Sequence, residues 1–80
     1  NIEDTGLKVR SFMRKQELEF VEDELGRQIV DLNDPKWQNL IYERLVQDGM
    51  NPVRAHSVTD EVIQSFRKSE NSRLMIVEKD

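Results

Sequence analysis

The stretch "NDPKWQNLIYERLVQDGMNPVRAHSV", residues 33–58, limits the possible folds more than any other part of the chain. It carries one helix-start signal twice, Asp34-Pro35 and Asn51-Pro52. In each pair the first side chain can accept an orphan N–H of the first turn, and proline at the first helical position has no N–H to lose. After Pro52, the residues Ala55, Val58, Thr59, Val62, Ile63 and Phe66 follow helical spacing on one face, which predicts a helix to Lys68. After Pro35, the stripe Trp37, Leu40, Ile41 and Leu45 predicts a second helix, ended by Gly49. Met50 sits one place before the Asn51 cap, within reach of Ala55 in a hydrophobic staple. Two helices joined by a tight corner are thus written into local chemistry. Tyr42 and Val46 fall on the side of the first helix away from its stripe. Such a helix is the middle one of a bundle or carries a second contact surface.

The first third allows competing readings. Leu18, Val21, Leu25, Ile29 and Leu32 keep helical spacing, so residues 14 to 32 are expected to be helical, with Gly26 a flaw of up to ~1 kcal/mol relative to alanine. Val9, Phe12, Met13 and Phe20 would lie on the opposite face if that helix ran back through them. "LKVRSF" alternates apolar and polar residues as a strand does, and so does "RLMIV" near the C-terminus. The expected fold is mainly α: one domain over residues 1–80, a small three- to four-helix bundle. The α+β alternative adds a two-stranded ribbon from residues 7–12 and 73–77. Residues 69–80, opening on "SENS", read as linker or strand. The chain starts at Asn1 rather than Met and ends just after an apolar run, so a domain excised from a longer protein is expected.

Composition narrows the function. Eighty residues leave no room for a deep substrate cavity. The net charge of -4 works against nonspecific phosphate binding and against anionic membrane surfaces. With no cysteine there is no disulfide, thiolate metal site or thiol nucleophile, which fits a reducing compartment, and a cytoplasmic location is expected. No apolar run reaches the roughly 18 residues of a membrane span.

Groups that could carry chemistry are few. Glu17, Glu19, Glu22, Asp23 and Glu24 form an acidic run, but carboxylates splayed along a helix do not converge as a hard cation requires. Lys8, Arg10, Arg14 and Lys15 form a basic run before it. His56 is the only histidine and lies off the apolar stripe, a surface position. No serine has a nucleophile-elbow context and no glycine-rich phosphate loop is present. No cofactor or metal is expected, and the chain is not expected to be an enzyme.

The corner "DGMNPV" resembles a DNA-binding helix-turn-helix in turn length and in its glycine. That resemblance implies a regulatory domain reading nucleic acid through the second helix. It departs where Leu45 replaces a small residue and where Asp60 and Glu61 follow Arg54 and His56. Leu45, Gly49, Met50 and Ala55 also look like the first corner of ubiquitin-associated domains, over about a quarter of the chain. Capping alone accounts for each residue of the corner. The expected function is therefore a noncatalytic protein–protein interaction or oligomerisation domain. Its partner is another protein or a second copy, with Phe20, Tyr42, Val46 and Met50 as contact residues. The alternative is a nucleic-acid-binding domain using Lys8, Arg10, Arg14, Lys15 and Arg54.

Overall fold

A computed structural model describes residues 1–16 and 20–78. The element order is α1 (Ile2–Arg14), β1 (Val21–Glu22), β2 (Gln28–Asp31), α2 (Pro35–Gln47), α3 (Pro52–Glu70) and β3 (Leu74–Ile76). The strands form one antiparallel sheet in the order β1-β2-β3. Three helices, with this sheet added, make a mainly helical α+β fold.

Both corner helices begin where their caps place them. Asp34 accepts the Lys36 N–H at 2.9 Å, and Asn51 accepts the Val53 N–H at 2.9 Å. At the end of α2, Met50 N–H donates to the Leu45 carbonyl and Gly49 N–H to that of Val46, at 3.0 and 2.9 Å. Both orphan carbonyls are thereby satisfied, in the Schellman arrangement. Gly49 sits at φ 101°, a conformation nearly closed to other residues. The α3 helix is closed by Asn71 in the left-handed region, φ 52°.

The core is one cluster. Val9 and Met13 of α1, Trp37, Ile41 and Leu45 of α2, and Ala55, Val58, Val62, Ile63 and Phe66 of α3 meet Val30, Leu32, Met75 and Val77 from the sheet region. Buried Thr59 is satisfied by donating its hydroxyl to the Ala55 carbonyl at 2.7 Å. The α3 helix touches α1, α2 and β3, so it is the element around which the others assemble.

Two expectations are corrected. First, residues 7–12 do not form a ribbon with 73–77, because they belong to α1. The C-terminal strand does form, but it pairs with β2: Ile76 opposite Ile29, Met75 opposite Val30, Leu74 opposite Asp31. Second, residues 14 to 32 are not one helix. Helix α1 stops at Arg14 and residues 21–31 are a β-hairpin. Leu18, Glu17 and Glu19 lie outside the described residues.

The hairpin has its own local cause. Gly26 N–H donates to the Asp23 carbonyl at 3.0 Å and Asp23 N–H to the Arg27 carbonyl at 2.9 Å. Gly26 has φ 74°. This is a tight turn followed by a left-handed glycine, a common three-residue hairpin loop. The Asp23 carboxylate accepts the N–H groups of Leu25 and Arg27 at 3.0 and 2.8 Å and binds Arg27 Nε at 2.6 Å. Partial burial pushes the Asp23 carboxyl up. The Arg27 backbone and side-chain hydrogen bonds, the Leu25 N–H and the Arg27 charge outweigh that and hold it below its ordinary value of 3.8. A carboxyl depressed in the folded state stabilises the fold above its unfolded value and stops doing so as pH falls through its folded value. The hairpin amides of Leu25 and Arg27 are therefore expected to keep their folded chemical shifts down to pH 3.8 and to lose them in more acid solution. In Asp23→Asn, which cannot titrate, their shifts should show no such step.

Candidate contact surfaces

The sheet has two faces, and the pairing register assigns residues to each. Directly opposed residues on neighbouring strands share a face, and alternate residues along a strand change face. Val30 and Met75, opposed and each 0% exposed, face the helices. Val21, Ile29 and Ile76 are opposed across all three strands, so they form a row on the other face. That row is apolar throughout. Val21 is 64% exposed, and Ile29 and Ile76 are half-buried and outside the core cluster. Leu74, 39% exposed, lies on the same outer face opposite Asp31. Asp23 and Arg27 stand on that face at the hairpin end. Leu25 projects from the hairpin turn at 77% exposure. A sheet covered on one side is normally polar on the other; strands apolar on both faces are the kind found buried on both.

The second feature is an open groove of about 530 Å³ between α1 and the α2–α3 corner. Val9, Phe12, Leu45 and Met50 supply its apolar lining, and Lys8, Arg44 and Arg54 its cations. Arg44 is held in place: its guanidinium lies 5.3 Å from the Phe12 ring centre, and its Nε bonds Asp48 at 3.2 and 3.3 Å. The anionic partner of one groove cation is therefore already present.

The four contact candidates from the sequence are not gathered on one patch. Phe20 is half-buried with its ring centre 5.4 Å from that of Trp37. Tyr42 lines a small cleft between α2 and α3, its ring centre 6.3 Å from that of His56. Val46 is half-buried on α2, and of the four Met50 alone lines the groove. All four pack against the core. The basic candidates are likewise divided. Arg10 is bound to Glu70 at 3.1 Å and lies 5.5 Å from the Phe66 ring centre. Arg14 is half-buried, and Lys15 is exposed at the C-cap of α1. Of these five, Lys8 and Arg54 line the groove.

His56 is 77% exposed, with Nδ1 3.8 Å from Asp60 Oδ2. A wet, loosely placed pair of this kind lacks the oriented hydrogen bond a general base needs. Among the described residues, no three His, Asp or Glu side chains gather to hold a metal ion. No described helix is long and apolar enough to cross a membrane.

Arg44, Phe12 and the outer row Val21, Ile29 and Ile76 were missed by sequence reasoning. The signal for the groove was the spacing of Thr5, Lys8, Val9 and Phe12, one stripe of a helix. The signal for the outer row was "DELGR", a turn whose glycine follows an aspartate by three residues.

Fold and surfaces together define a small α+β fold with an apolar row flanked by charges on the outer sheet face and a cation-lined groove. No protein-family model, curated protein or solved structure matches the chain.

Proposed function

We propose that the chain is a noncatalytic protein–protein interaction or oligomerisation domain, and that its contact surface is the outer face of the sheet. One observation carries this reading: the row Val21–Ile29–Ile76 is apolar on the face opposite the buried Val30 and Met75, with Val21 64% exposed. Isolated exposed apolar side chains are ordinary, but contiguous ones mark interaction sites. Of the large apolar side chains that are strongly exposed among the described residues, Val21, Leu25 and Leu74 belong to this sheet and its turn, and Leu7 and Val53 lie elsewhere. The test is a photo-crosslinking side chain placed at position 76 and, as a control, at exposed position 64 on α3, in the full-length protein in its own cells. Protein adducts are expected from position 76 and not from 64. Adducts from neither, or equally from both, would remove the sheet face as a contact surface.

A second reading keeps the groove as a polyanion site, because Lys8, Arg44 and Arg54 line it together. It has less support. The net charge of -4 opposes it. Nucleic acid bound there would dissociate steeply with salt, with a slope of about -0.9 per phosphate contacted.

A further inference from the structure

We infer that the outer sheet face pairs with the same face of a second copy, strand β2 lying antiparallel over the partner's β2. This rests on the reading of that face as a contact surface and names its occupant. The argument is charge complementarity along β2. Arg27, Ile29 and Asp31 occupy alternate positions and so share the outer face, with the isoleucine central and opposite charges on either side.

Two sheets related by a two-fold axis can meet in two ways. If the axis runs along the strands, like residues stack, and Arg27 meets Arg27 and Asp31 meets Asp31. If the axis runs across the strands, over the row Val21–Ile29–Ile76, the apolar row packs on itself. Each Arg27 then lies over the partner's Asp31, and each Asp31 over the partner's Arg27. Only the second arrangement pairs opposite charges, and it does so twice by symmetry, as a self-complementary interface requires. Aligned packing of this kind is the common way two sheets stack.

The local bonding leaves both groups able to take part. Arg27 holds Asp23 through Nε, and a guanidinium has five N–H donors. Asp31 accepts the Asn33 N–H on Oδ1, and a carboxylate has a second oxygen. The face is small. Strands of two, four and three residues, about 4.8 Å apart with a rise of about 3.3 Å per residue, cover roughly 150 Å². Stable interfaces use about 800 Å² per partner, so the pairing is weak and concentration-dependent.

The test is sedimentation and light scattering of the full chain from micromolar to millimolar concentration, on wild type and four preparations. Wild type is expected to move from monomer to dimer. Ile29→Lys is expected to weaken dimerisation about 30-fold or more while its circular dichroism and melting temperature stay close to wild type. Arg27→Asp alone and Asp31→Arg alone place like charges opposite each other twice and should remain monomeric. Mixed together they should form a heterodimer, because every Asp then faces an Arg. A wild type that stays monomeric throughout overturns the self-pairing. The crosslink at position 76 then decides separately whether the face takes another protein. A dimer unaffected by Ile29→Lys, or a mixture that fails to pair although both variants are folded, overturns it as well.

Discussion

Met75→Ala is expected to lower the unfolding free energy by about 3 kcal/mol, and Ile76→Ala, at the next position, by less than about 1 kcal/mol. Met75 is 0% exposed and lies in the core. Truncating it removes buried apolar atoms and leaves a cavity that an 80-residue domain has little slack to fill. Ile76 points to the other side of the same strand, outside the core cluster. Its truncation leaves no internal cavity, and its effect should appear in association instead. Urea unfolding followed by circular dichroism at low concentration measures the first quantity, and the sedimentation series measures the second. Equal losses of stability for the two variants would mean that the sheet is buried on both sides within a single chain.

Trp37→Ala is the other large effect, expected at about 3 to 5 kcal/mol. Trp37 is 6% exposed on the core face of α2, and Phe20 packs on it at a tilt of 41°. That contact joins the segment leading into β1 to the first turn of α2. An aromatic pair of this geometry adds about 1 kcal/mol beyond its buried area. A domain of this size has a total stability of about 4 to 12 kcal/mol. Trp37→Ala is therefore expected to leave a substantial unfolded fraction at 37 °C, seen as broadened or collapsed amide dispersion by NMR. Phe20→Ala should cost much less and leave the α2–α3 corner intact.

The two helices around residues 48–56 could be read from the sequence because their signals are short-range. A cap, a proline and a left-handed glycine act within a single turn, and α2 and α3 start at the expected residues. Their apolar stripes also identified the core correctly at Trp37, Ile41, Leu45, Val58, Val62, Ile63 and Phe66. The region before them was misread because spacings of three and four residues arise in more than one structure. Val21, Leu25 and Ile29 match a helical stripe. In the fold Val21 and Ile29 instead face each other across a hairpin, and Leu25 stands at its turn.

What the chain's own order of residues decided was elements whose cause lies within about four positions: the capped helices α2 and α3, the Gly49 corner, and the Asp23–Gly26 turn. Tertiary structure alone decided that the C-terminal strand joins Gln28–Asp31 and not residues 7–12, and that α1 packs on α3. It also decided which strand residues are left facing outward. The pairing of β3 with β2 spans the whole of α2 and α3, so it depends on how those helices pack. Neither strand carries a local signal that names its neighbour. Register then fixes the faces, since each one-residue step along a strand reverses the side on which a side chain lies.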